Sequence, residues 1–304
     1  MNRQDINLRI NIGSVELKNP VMTASGTFAA GREYSEFIDL NRLGAVVVRG
    51  IATNPWLGNS APRIAETYGG MLNSIGLQNL GVEHFIKEDI PFLRRFDTKI
   101  VVNIIGKTIK EYCEVAEKLQ DADIDLVELN ISCPNLKEGG VSFGTNPLNV
   151  AEVTREVKKH VKQPLIVKLS PNVSDIVEIA KAAESEGADA ISMINTLLGM
   201  AIDIHRRKPI LANITGGLSG PCIKPVALRM VYQSYKAISI PIIGMGGIMN
   251  SDDAIEFIMA GATGVAIGTA NFINPRATID VLEGILDYCE KYNIKDIMDI
   301  RGII

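Results

Sequence analysis

The sequence predicts an α/β protein, a (β/α)8 (TIM) barrel, and three observations carry that prediction. Eight short β-branched runs recur along the chain, most of them alternating with amphipathic stretches of helical period. Several runs are nearly continuous in apolar residues, as strands buried on both faces of a parallel sheet require. The length, 304 residues, suits one such barrel, which takes about 250 residues before insertions. The whole chain, 1–304, therefore reads as one domain. An open, doubly wound sheet is the alternative reading of the same pattern.

The expected strands are 20–24, 45–49, 99–104, 126–130, 165–169, 190–194, 241–245 and 264–268. Amphipathic stretches at 110–120, 149–161, 175–186, 224–236 and 252–260 supply helices between them. Ser174-Asp175 and Ser251-Asp252-Asp253 place acceptors and negative charge at two helix starts, where backbone N–H groups lack partners. Two segments exceed the minimal barrel. Residues 6–17 alternate around Gly13-Ser14 and read as an N-terminal β-hairpin. Residues 197–217, an insertion after strand six, are expected on the catalytic face as a lid or partner surface.

A hydrophobic content of 46% is enough for a large core. The net charge of −4, without a run of either sign, argues against a nucleic-acid surface, which needs a basic face. The first residues carry no apolar signal core, and no stretch approaches the roughly 18 apolar residues of a membrane span. A cytoplasmic protein that binds neither membrane nor nucleic acid is the expectation. Cys113, Cys133, Cys222 and Cys289 are widely spaced without a CxxC pair, which argues against disulfides, structural zinc or an iron–sulfur cluster held by this chain alone.

A barrel's chemistry sits at the C-terminal ends of its strands. Those ends carry Ser25-Gly26, Arg49-Gly50, Asn103, Asn130 followed by Cys133, Lys168, Asn195-Thr196, Gly246-Gly247 and Gly268-Thr269. Asn130-Ile131-Ser132-Cys133-Pro134-Asn135 is the most informative stretch. Pro134 stops strand pairing, so a thiol, a hydroxyl and two carboxamides project from a loop. A thiol whose surroundings shift it from about 8.5 can act as a base or nucleophile near neutral pH. A half-buried cysteine in a turn is the plainer reading, and the flanking asparagines weigh against it.

Glycines after strands seven and eight let backbone N–H groups approach an anion, at the usual phosphate grip of this fold. Lys168, inside an apolar run, either snorkels outward or points a fixed charge into the barrel mouth. His84, His160 and His205 lie away from the strand ends, and Glu128 lies within strand four, where it could face a neighbour. The standard metal and glycosidase constellations are absent, which leaves Cys133 as the natural proton acceptor.

Taken together, the runs 19–26, 73–79 and 130–135, Asn195-Thr196, Gly216-Gly217-Leu218-Ser219-Gly220 and Gly246-Gly247 resemble dihydroorotate dehydrogenases, in order and over nearly the whole chain. Cysteine in the Ser-Cys-Pro-Asn loop is similar to class 1, since class 2 carries serine there and a membrane-associating extension. The segment 195–200 and the basic insertion after it resemble class 1B, the NAD-linked form, rather than the fumarate-linked class 1A.

The resemblance implies FMN in the barrel mouth and oxidation of (S)-dihydroorotate to orotate in the de novo pathway to UMP. It implies that Cys133 removes the C5 proton while hydride leaves C6 for the flavin. Arg49, Asn73, Ser74, Ile75, Gly76, Leu77, Asn130, Asn195 and Thr196 match substrate positions. Ser25, Arg49, Gly50, Asn103, Asn130, Lys168, Ile194, Gly220, Gly246, Gly247, Gly268 and Thr269 match flavin positions. It further implies a homodimer core joined to a subunit carrying FAD and a 2Fe–2S cluster, a heterotetramer that reduces NAD.

One departure stands out. The second strand ends in Arg49, where the family has lysine. Arginine keeps the charge but is planar and bulkier, so it either grips the substrate carboxylate bidentately or displaces part of the site. Ala52 is also unusual. The nearest rival is a dihydropyrimidine dehydrogenase-like FMN enzyme acting on uracil or thymine, which needs no cationic carboxylate partner. A tRNA dihydrouridine synthase would carry a basic RNA face. A flavin-binding scaffold without turnover is the non-enzymatic alternative.

Overall fold

The computed structural model describes residues 3–131 and 143–304. Eight parallel strands close into a barrel: β1 (Val21–Thr23), β2 (Ala45–Val47), β3 (Lys99–Ile104), β4 (Leu126–Asn130), β5 (Leu165–Lys168), β6 (Ala190–Met193), β7 (Ile242–Met245) and β8 (Gly264–Ile267). Val265 of β8 pairs with Val21 of β1, and that closure excludes the open sheet. Apart from Lys99 every residue of these strands is buried, which is why the runs read as apolar rather than alternating. The first strand starts at Val21 rather than 20. Pro20 has no N–H to give a ladder, and the Asn19 side chain accepts the N–H of Val21 at 3.1 Å.

The helices α1 (Ile109–Leu119), α2 (Pro147–Lys158), α3 (Ile176–Ser185), α4 (Lys224–Tyr235), α5 (Ser251–Met259) and α6 (Ala277–Tyr292) flank the barrel. Asp175 caps α3 as expected, accepting from the N–H of Val177 at 2.8 Å. At α5 the expectation is corrected. Asn250 is the cap, accepting from the N–H of Asp253 at 3.0 Å, while the Asp253 carboxylate accepts the N–H of Met249 and an ion pair from Lys224.

The N-terminal hairpin pairs Ile10–Ile12 with Val15–Leu17, so it begins later than residue 6; Asn7 instead bridges to Asp296. Alternation buries Ile10, Ile12 and Leu17. A Cβ on Gly13, the turn residue at φ +56°, would lie 2.9 Å from the Pro164 side chain, just before β5 begins. The hairpin thus stops the end of the barrel opposite the strand exits.

The exit end carries a second sheet. Leu197–Met200 and Thr215–Ser219, from the expected insertion, join a hairpin of Ile64–Thr67 and Gly70–Asn73 that follows β2. Thr215–Ser219 pairs on both sides, with Gly217 opposite Leu198 and Asn73. That close approach needs glycine, because a Cβ on Gly217 would fall 2.1 Å from Thr196 Oγ1. Among the described residues no helix is long and apolar enough to cross a membrane.

Candidate active site

Between the barrel rim and the second sheet lies a cleft of about 480 Å³, within the range of small-molecule sites. The strand ends form its floor, with Ser25, Asn103, Asn130, Lys168 and Asn195 among the lining side chains. Arg49, Gly50, Ile194 and Thr196 complete the barrel side, and Asn73, Ile75, Gly76 and Leu77 line the side of the second sheet.

The floor is a polar chain in a dry setting. Glu128 and Asn130 are two residues apart in β4 and so share a face, which here is the barrel interior. Glu128 is 2% exposed and accepts from Asn103 Nδ2 and, at 2.7 Å, from Ser192 Oγ of β6. Lys168 Nζ stands 3.8 Å from the same carboxylate and donates to Ser25 Oγ at 2.9 Å. The charge of Lys168 therefore points inward, and Glu128 balances it, as a buried cation requires. Asn130 Nδ2 donates to Asn103 Oδ1 at 3.2 Å, and Asn195 Nδ2 to Asn130 Oδ1 at 3.4 Å. Tyr112, fully buried on α1, donates to the Asn130 carbonyl at 2.8 Å and pins the last residue of β4.

The glycines gather at one end. Gly220, Gly246 and Gly247 have φ of +106°, +121° and +80°, and a Cβ on Gly247 would fall 2.9 Å from the Gly220 carbonyl. Among the described residues the N–H groups of Gly246 and Gly247 have no acceptor, so this cradle suits an anion. Gly268 and Thr269 lie beside it, and Thr269 Oγ1 donates to Ser219 Oγ at 2.8 Å. Lys224 packs against the cradle but is engaged elsewhere. Its ammonium donates to Asp253 at 2.6 Å and Glu256 at 3.0 Å, which raises its pKa.

On the sheet side the chain turns sharply. Gly76 and Leu77 are consecutive left-handed residues, at φ +77° and +56°. The buried Asn79 side chain holds the turn, donating to the Leu77 carbonyl and accepting from the N–H groups of Ala52 and Gly81. Ala52 thus belongs to the packing beneath that turn. Ser74, expected at the site, does not line the cleft. It is fully buried, its N–H donates to the Arg63 carbonyl, and its own carbonyl accepts from Asn59 Nδ2.

Cys133, with Ser132, Pro134 and Asn135, lies outside the described residues. Of the other thiols, burial pushes Cys289 up to about 11 and raises Cys113, so neither is a ready base. Glu128 and Ser192, beneath the floor, are residues that sequence reasoning did not place at the site. Their signal was a carboxylate inside an apolar strand, which burial forces to find partners. Glu33 and Tyr34 also line the cleft unforeseen; burial, with Glu33 nearby, raises the Tyr34 phenol.

Comparison with known proteins gives one consistent result. A family model for dihydroorotate dehydrogenase matches residues 7–288. The dihydroorotate dehydrogenase B (NAD(+)) catalytic subunit of Alkaliphilus metalliredigens is 72% identical over 297 residues, 98% of each chain. The proteins of the same name from Lachnoclostridium phytofermentans and Parabacteroides distasonis are 60% identical over 299 residues and 53% over 298. Both matches take in 98% of this chain, with 100% and 98% of the respective relatives.

Proposed function

The chain belongs to the dihydroorotate dehydrogenase family, and from that premise we propose that its cleft binds FMN and oxidises (S)-dihydroorotate to orotate in pyrimidine biosynthesis. The observation that carries the reading is the union, in one cleft, of a carboxamide-lined floor, a buried lysine and a glycine cradle for an anion. When bound, FMN accepts the hydride that leaves C6. The residues to hold it are Ser25, Gly50, Asn103, Lys168 and Ile194 on the barrel side. The cradle at Gly220, Gly246, Gly247, Gly268 and Thr269 takes its phosphate.

The substrate's amides and carboxylate fall to Asn73, Ile75, Gly76, Leu77, Asn130, Asn195 and Thr196, with Arg49 as the cation. Cys133 removes the C5 proton. The relatives' name, a catalytic subunit of an NAD(+) enzyme, supports onward electron transfer to a second subunit. We assign FAD and a 2Fe–2S cluster to that subunit, and a cytoplasmic heterotetramer built on a dimer of this chain. The test is anaerobic: purified chain saturated with FMN is mixed with L-dihydroorotate, and rapid bleaching of the flavin is expected. Bound FMN that stays oxidised would point instead to another dihydropyrimidine.

Arg49 favours dihydroorotate over uracil or thymine. Its side chain lines the cleft and has no hydrogen-bond or ion-pair partner among the described residues, so its charge is free for an anionic substrate. Arg49→Ala is expected to weaken orotate binding about 10- to 100-fold, the worth of a charge-assisted hydrogen bond. Arg49→Lys keeps the charge and loses the planar fork, so its loss is expected to stay within about tenfold. Orotate titrations followed by flavin absorbance check both. A large gain in turnover with lysine would reverse the assignment and mark Arg49 as displacing part of the site.

A further inference from the structure

A carboxamide has a donor end and an acceptor end, and three of them in series must agree on a direction. Asn103, Asn130 and Asn195 form such a series across β3, β4 and the exit of β6. Both terminal partners are one-way groups. The Glu128 carboxylate only accepts, so Asn103 must turn its NH2 group towards it. Asn103 Oδ1 then accepts from Asn130, and Asn130 Oδ1 accepts from Asn195. At the far end the N–H of Thr196, which only donates, lies 2.8 Å from Asn195 Oδ1 and demands the same orientation.

Resting on the reading of the cleft as an orotate site, we propose that Glu128 is a positioning residue that fixes the hydrogen-bond polarity of Asn103, Asn130 and Asn195. Through them it sets which donors and acceptors meet the pyrimidine ring. Glu128 does not line the cleft and acts only through the side chains above it. Its negative charge also balances Lys168, so the two roles need separating. Ser192 Oγ, on the other oxygen, makes that possible: a hydroxyl can donate to a carboxylate or accept from an amide. A glutamine at position 128 can therefore keep its oxygen towards Asn103 and turn its NH2 group towards Ser192. The charge is lost and the polarity is kept.

The test is a four-protein cycle of wild type, Glu128→Gln, Asn103→Asp and the double variant, each as the FMN-loaded protein. Asn103→Asp sets two acceptors against each other and is expected to weaken orotate binding by about tenfold or more, the cost of an unmet buried polar pair. Glu128→Gln is expected to stay within about threefold of wild type, because every hydrogen bond of the series keeps its direction. In the double variant the new amide at position 128 turns its donor to the new carboxylate at position 103. The other oxygen of that carboxylate still accepts from Asn130, so binding is expected to recover most of the loss. Melting temperatures should show the same rescue: Asn103→Asp is expected to cost less in the Glu128→Gln background than in wild type, a comparison in which the lost counter-charge to Lys168 cancels. Equal weakening in Glu128→Gln and Asn103→Asp, without recovery in the pair, would overturn the proposal and leave Glu128 a counter-charge only. A wild type that neither binds orotate nor is bleached by dihydroorotate would sink the reading of the site, and the coupling between the two substitutions in the melting temperatures would still decide the relay.

Discussion

Replacing Cys133 by serine is expected to leave FMN bound and to slow flavin bleaching by L-dihydroorotate about 10²–10⁴-fold, the usual worth of general-base catalysis. The described residues that line the cleft offer two cations, Arg49 and Lys168, one carboxylate, Glu33, and a raised phenol, Tyr34. Glu128 is beneath the floor, accepting from two donors beside Lys168. On the proposed reading the base is Cys133, in the loop that follows β4, a loop whose sequence also carries Lys137 and Glu138. Only the thiolate takes a proton, so the wild-type rate should rise with pH as the thiol ionises, from a starting point of about 8.5 for an unperturbed cysteine. Serine ionises far above that range, so the rising limb should leave the accessible window in the variant. Wild-type bleaching in Cys133→Ala would place the base elsewhere.

The barrel was legible because its strands are buried on both faces, so a run such as Leu165-Ile166-Val167 announces itself without help from its neighbours. The second sheet was legible only by half. Leu197–Met200 lies in a segment too long for a plain loop, but Ile64–Thr67 is an edge strand with alternate residues exposed. Its neighbour Gly70–Asn73 pairs with Thr215–Ser219, far along the chain, and no local pattern encodes that pairing. The cap of α5 is Asn250 rather than serine, since its side chain takes the N–H of Asp253, while the Asp253 carboxylate is held by Lys224 on another helix. At the site, residues on strand ends fell where the barrel rule puts them. Ser74 did not: it follows the strand that ends at Asn73, and it is buried away from the cleft that Asn73 lines. Glu128 was visible as an anomaly, yet its partners come from β3, β5 and β6, and only closure of the barrel brings those together.

Exchanging Lys168 for methionine should cost about 3–5 kcal/mol of stability, although the two side chains are similar in length. The cost does not come from the lysine. It comes from Glu128, which at 2% exposure would keep two donors and lose the only cation near it among the described residues. Denaturant unfolding measures this as a lower midpoint at unchanged slope. The double variant Lys168→Met, Glu128→Met should regain much of the loss, since a buried ion pair replaced by apolar groups of similar volume is often neutral. It should fall short of wild type, because Asn103 and Ser192 then lack their acceptor. Stability and function are expected to separate here: the double variant folds well, yet it has lost the cation beneath the cleft and the group that orients the floor. Weak retention of FMN and orotate by a stable protein would mean that the buried pair is kept for the ligands it organises. A single Lys168→Met variant within about 1 kcal/mol of wild type would contradict the premise, since a carboxylate stranded in a dry barrel is costly.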